Sequence, residues 1–178
     1  MYLKAKSYKR VFRYDLINTL KFIQNNDLKV RGKIAENIER LAMAASANNS
    51  LRVMKYLITK MNLDVGFDED HILKDALHYE YWDMAKLALS HGAKIQSCYS
   101  SMIDACIAGK YDTVKYMLDH GFMTSNESIV TVCENGHLRL LKLLSQYEIR
   151  VEKSIVDSLE QYSCPECYDY LLNNFARY

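Results

Sequence analysis

Apolar residues recur along this chain with the spacing of short helices. Between positions 111 and 118, Tyr111, Val114, Met117 and Leu118 fall at i, i+3, i+6 and i+7, while Asp112, Lys115 and Asp119 lie off that stripe. Just upstream, Met102, Ile103, Cys106 and Ile107 form a second stripe, and Gly109-Lys110 separates the two. The spacing predicts a pair of antiparallel helices that bury one face against each other and leave apolar surface for the next pair.

The arrangement returns along the chain. Glu134 to Leu144 (ENGHLRLLKLL) can be laid over Ala108 to Leu118 (AGKYDTVKYML), over Tyr79 to Leu89 (YEYWDMAKLAL) and over Asn48 to Ile58 (NNSLRVMKYLI) without a gap inside any helix. One lysine repeats through these copies at Lys55, Lys86, Lys115 and Lys142, in steps of 31, 29 and 27 residues. After it, His91-Gly92 and His120-Gly121 stand at one offset, where glycine closes a helix in the left-handed conformation. Extending the last step places a fifth pair near the end, its second helix running from Pro165 to Asn173 with Tyr168, Leu171 and Leu172 on the buried face. Proline suits such a first turn, because the donor it lacks has no helical acceptor there. Leu16, Leu20 and Ile23, followed by Asn25-Asn26, resemble a capping helix.

The expected fold is therefore all-α, a solenoid of stacked antiparallel helix pairs. Residues 1–37 are a basic amino-terminal cap, and residues 38–178 an array with units near 38–67, 68–96, 97–125, 126–150 and 151–178. At Glu134-Asn135-Gly136-His137-Leu138 with Lys142-Leu143-Leu144, the pattern resembles the ankyrin repeat, with its glycine-centred turn and a second helix of V-V-K-L-L type. The likeness covers about residues 38 to 178. The threonine-proline that opens the family's first helix is absent from every copy, and the units are shorter than the family's roughly 33 residues. Hairpins between units are therefore expected to be short or absent. Worn arrays rich in tyrosine and lysine are similar to those of large DNA viruses. That resemblance implies a viral protein acting on a host factor in the host cytoplasm.

Composition agrees with helix, since one proline and six glycines are too few for the many tight turns of an all-β fold. Net charge is +1, but residues 1–33 carry nine Lys and Arg against Asp15 and Asp27, leaving the remainder at -6. Lys4, Lys6, Lys9, Arg10 and Arg13, interleaved with Tyr2, Tyr8, Phe12 and Tyr14, make the aromatic and basic mixture that nucleic-acid arms use. A nucleic-acid-binding protein is accordingly the alternative function. No uninterrupted apolar run follows this basic stretch, so neither a secretory signal nor a membrane anchor is expected, and the chain reads as cytoplasmic.

Candidate chemistry is sparse. Cys164-Pro-Glu-Cys167 is a C-x-x-C at the start of a predicted helix, a setting that lowers thiol pKa in redox proteins. A thiol enzyme or zinc protein is the second rival reading. Against it, the βαβ context of thioredoxin-like chemistry is lacking, and alignment puts Cys167 in the apolar slot of Val53, Met84 and Leu140. Cys106 and Cys133 share another slot, where a small hydrophobe lets helices pass closely. No phosphate loop, H-E-x-x-H or G-x-S-x-G occurs, so no catalytic residue, cofactor or metal is assigned. The ankyrin likeness implies a protein-binding module whose partner-facing residues occupy the variable pair before each turn. Those candidates are His78 and Tyr79 with Tyr81, Ile107, Glu134 and Asn135, and Gln161 and Tyr162. Leu141 stands at the centre of the best-formed copy. Leu141→Ala is expected to cost about 2–5 kcal/mol in chemical denaturation, with a milder loss for Leu16→Ala in the cap.

Overall fold

A computed structural model describes residues 37–147, 151–160 and 164–175. The expected cap, with Leu16 and the basic Lys4, Lys6, Lys9, Arg10 and Arg13, lies outside the described residues, as do Gln161 and Tyr162. Among the described residues the regular structure is helical, without a strand, and no helix is long and apolar enough to cross a membrane. The chain divides into two compact units, Met1–Ser97 and Cys98–Tyr178.

In the first unit, α1 (Ile38–Ala47) packs on α2 (Leu51–Met61), and α3 (Phe67–His78) packs on α4 (Trp82–Ser90). The two pairs then stack, α1 on α3 and α2 on α4, and a 3-10 turn at Ile95–Ser97 leans on α3. In the second unit, α5 (Tyr99–Ile107) pairs with α6 (Tyr111–Asp119), and α7 (Asn126–Glu134) with α8 (Leu138–Leu144). Here α5 stacks on α7 and α6 on α8, and α10 (Pro165–Phe175) packs on both α8 and the short α9 (Lys153–Ser158).

Four pairs close through the same three-residue turn, at 48–50, 79–81, 108–110 and 135–137. Its middle residue has positive φ in every case: Asn49 at 50°, Glu80 at 60°, Gly109 at 68° and Gly136 at 72°. The N–H of the third turn residue then donates back to the first helix. The bonds are Ser50 to Ala45 O and Tyr81 to Ala76 O at 2.8 Å, and Lys110 to Ala105 O and His137 to Val132 O at 2.9 Å. This is the Schellman arrangement, which satisfies carbonyls the helix end would leave unpaired. The same chemistry ends α4 and α6, where Gly92 and Gly121 have φ of 100° and 84°. At α2 the glycine is missing, and Asn62 takes the left-handed position at φ 54°.

In the second helices of the four pairs, burial keeps fixed offsets from the recurring lysine. Two positions before the recurring lysine, Val53, Met84, Thr113 and Leu140 are buried; one before, Met54, Ala85, Val114 and Leu141; two after, Leu57, Ala88, Met117 and Leu144. The lysines themselves are exposed. Three expectations need correction. Tyr111 stands only at the margin of the α6 core face, because the buried set is Thr113, Val114, Met117 and Leu118, an i, i+1, i+4, i+5 face that it flanks. In α5 the buried set is Met102, Ala105 and Cys106, and Ile107 is 50% exposed. In α10 the core face is defined by Cys167 and Leu171, so Leu172, a further 100° round the helix, is 37% exposed.

One segment departs from helical geometry. Asp68, Glu69 and Asp70 take φ of 48°, 53° and 64°, so the start of α3 is a left-handed turn, and right-handed helix begins at His71. His71 then lies between Asp68 at 3.5 Å and Asp75 at 3.4 Å, and Ser46 Oγ of α1 donates to Asp75 Oδ2 at 2.5 Å. Ser46 is fully buried in the slot that holds Leu77, Cys106 and Cys133 in the other pairs, and this bond meets the cost of a hydroxyl there.

The turn makes opposite demands at two equivalent positions. At Gly109 an added Cβ would meet left-handed strain and lie 2.7 Å from His137 Cε1, so Gly109→Ala should destabilise by at least the roughly 1–2 kcal/mol of the backbone term. Glu80→Gly should instead stabilise by about 0.5–1 kcal/mol, the strain relieved less the entropy glycine loses on folding. Urea denaturation of the two variants checks both signs, and the same sign for both would be inconsistent with a shared left-handed turn.

Candidate functional site

The variable pairs occupy one structural position. Ala47-Asn48, His78-Tyr79, Ile107-Ala108 and Glu134-Asn135 are each the last residue of a first helix and its C-cap, and all eight residues are exposed. The geometry follows from the turn: the Schellman bond buries the residue two or three places earlier and throws this pair outward.

In the first unit the structure brings three of the predicted residues together. The His78 ring meets Tyr79 edge-on at 4.7 Å between centroids, and Tyr79 stacks on Tyr81 at 5.4 Å and 23°. Tyr79 is 48% exposed despite its size. Beside them, Asn49, Leu51, Glu80, Tyr81, Trp82 and Asp83 line a cleft of about 310 Å³ that opens on the two hairpin turns. Trp82 and Glu80 were not singled out from sequence, although the run Tyr79 to Trp82 holds three aromatic residues in four positions.

In the second unit the candidates are more dispersed. Asn135 Nδ2 donates to Thr131 O at 2.8 Å and so caps its own helix. Ile107 O meets His137 Nε2 at 3.0 Å, and the imidazole covers Gly109. His91 Nδ1 and His120 Nδ1 lie 2.9 Å and 2.8 Å from Leu87 O and Tyr116 O, so these rings also sit on carbonyls near helix ends. A guanidinium from α8, Arg139, lies 3.9 Å over the Tyr111 ring, which explains why that tyrosine keeps to the rim.

The cysteines carry no disulfide. Cys106 and Cys133 are fully buried, and burial pushes each thiol up to about 12, with the neighbouring Cys164 adding to the effect at Cys133. Cys167 is also fully buried and its thiol is raised, first by burial and then by its hydrogen bond with Cys164. Cys164 is half-buried: its sulfur accepts from the Cys167 N–H at 3.3 Å, and its own N–H donates to Cys133 O at 3.3 Å. Among the described residues no group of three or more His, Cys, Asp or Glu side chains is placed to hold a metal ion.

No protein-family model matches the chain, and comparison with curated proteins finds no significant match.

The raised thiols link stability to alkaline pH. Cys106 in the folded chain keeps its proton up to about 12, whereas its ordinary value is 9.0, so above pH 9 the unfolded state holds fewer protons. Stability should fall as pH rises from about 9 towards 12, and Cys106→Ala should flatten that fall in urea titrations at several pH values. An unchanged slope would show that Cys106 is not the group responsible.

Proposed function

We propose that this chain is a protein-binding module, an ankyrin-like solenoid that recognises another protein through the pair before each turn and the turns themselves. One observation carries the reading: exposed His78 and Tyr79, with half-buried Tyr81 stacked on Tyr79, form a contiguous aromatic surface at a position where every described pair faces solvent. Large aromatic groups left in water on a helical scaffold are the usual anchors of protein interfaces, since they bury much area at small entropic cost. Stacking of first helix on first helix and second on second, with a constant three-residue turn, supports the ankyrin-like repeat. The pattern likeness to viral arrays points to a host protein as partner and the cytoplasm as location.

A nucleic-acid partner is the second reading, and the +7 charge of residues 1–33 favours it. The full chain should capture a protein by cross-linking from cell extract, and calorimetry with that protein should show at least tenfold weaker binding for the Tyr79→Ala, Tyr81→Ala double variant, about 1.4 kcal/mol or more. Wild-type affinity in the double variant would remove the aromatic surface from the interface. Binding to DNA or RNA alone, falling steeply with salt, would establish the second reading instead.

A further inference from the structure

We infer that a cleft in the first unit, beside the buried carboxylate of Asp70, takes the guanidinium group of an arginine side chain presented by a partner protein. The identity of the ligand as a protein rests on the function proposed above; the pocket and its charge do not.

The cleft holds about 360 Å³ and is lined by Gly66, Glu69, Asp70, Gly92, Lys94 and Ser97. Asp70 is only 4% exposed, and its Oδ1 has no hydrogen-bond partner among the described residues. Buried carboxylate oxygens are ordinarily paired, because desolvation without a compensating donor is costly. The other acid of the wall is already engaged, Glu69 with Lys74 at 3.1 Å. Asp70 is thus the acceptor left over.

Gly66 gives a second, independent observation. Its φ is -79° and its ψ 1°, so the backbone there does not require glycine. What the missing side chain leaves is space: a Cβ at Gly66 would lie 3.8 Å from Asp70 Oδ1 and 3.5 Å from Asp64 Oδ1. Gly92 lines the same cleft, and nothing lies within 4 Å of a Cβ placed on it. Gly66 therefore leaves the space next to Asp70 Oδ1 without a side chain, and Gly92 adds none to the same cleft, which keeps room for a planar group.

The chemistry selects guanidinium over a metal ion. A divalent cation is held by several ligands converging on one point, and no group of three His, Cys, Asp or Glu side chains is so placed among the described residues. One unpaired carboxylate oxygen in a cleft roomy enough for a side chain suits arginine, whose guanidinium fork fits carboxylates and is less strongly hydrated than an ammonium. Lys94 also lines the cleft, and as a cation it would oppose, not assist, an arriving guanidinium.

The test is an NMR titration of the full 15N-labelled chain with Nα-acetyl-arginine amide, with the citrulline and lysine analogues and calcium chloride as parallel arms. Arginine should shift the amides of Gly66, Asp70 and Gly92 with millimolar affinity, and citrulline, of the same shape without charge, should not. Asp70→Asn should weaken the response at least tenfold. Gly66→Val, which fills the approach and keeps every charge, should do the same, and it decides the matter if Asp70→Asn fails to fold. Lys94→Met should bind as well as wild type or better. Equal responses to arginine and citrulline, lysine binding as tightly as arginine, calcium saturating these amides at lower concentration, or wild-type binding by Gly66→Val would each overturn the assignment. Arginine binding with no protein captured would refute the partner reading alone. A captured partner with no arginine response would refute the cleft alone.

Discussion

The constraint on which the rest depends is the left-handed residue at the centre of each three-residue turn. With that residue at φ between 50° and 72°, the chain reverses within three positions, and the next N–H returns to the carbonyl five residues back. A longer or looser connection would let the second helix slide or rotate against the first. Fixing the reversal fixes which residues of the second helix face inward, and this is why the buried slots keep one offset from the recurring lysine in four pairs whose side chains differ widely. The same reversal decides what stays in water: the last residue of the first helix and its cap are pushed out wherever the turn is formed.

Given that frame, core chemistry is permissive and position is not. The slot two residues before the first helix's C-cap holds Ser46, Leu77, Cys106 and Cys133, all buried. Leucine fills it with bulk, cysteine with a small polarisable hydrophobe, and serine with a hydroxyl that has Asp75 Oδ2 and Met43 O as hydrogen-bond acceptors. The C-x-x-C follows the same logic. Cys167 sits where Val53, Met84, Thr113 and Leu140 sit, and its burial raises the thiol against ionisation. A thiol held protonated in a packing slot is a poor nucleophile and a poor ligand.

How far this was legible in sequence depends on which interaction each residue serves. Slots set by periodicity were readable, down to Cys167, because helical spacing and the copy-to-copy alignment report the same face. Positions at the edge of a face were not: Tyr111 and Leu172 look like core by spacing, and only the neighbouring helix decides that the face is centred on Thr113 and Val114 or on Cys167 and Leu171. Turn residues were half legible. Gly109 and Gly136 announce a left-handed position, whereas Asn49 and above all Glu80 occupy it against preference, held there by the helices on either side. The left-handed run Asp68 to Asp70 had no signature beyond a crowd of acids, since nothing in a run of aspartate and glutamate marks a reversed turn. Tyr79 and Tyr81, whose rings stack, stand on either side of that left-handed Glu80.

Both features of the first unit that point outward hang on α3. The aromatic surface begins at His78, its last residue, and the Asp70 cleft lies at its irregular start. The helical stretch between them rises about 1.5 Å per residue, so the two are separated by on the order of 10 Å of rigid element. Its apolar face, Ile72, Leu73, Ala76 and Leu77, is fully buried, and Asp75 is tied to Ser46 of α1, so neither end can shift without disturbing the core. Spacing between the aromatic surface and the Asp70 cleft is thereby set by packing and not by loops, which is how a scaffold of short helices would hold two proposed contact points in a fixed relation at little entropic cost on binding.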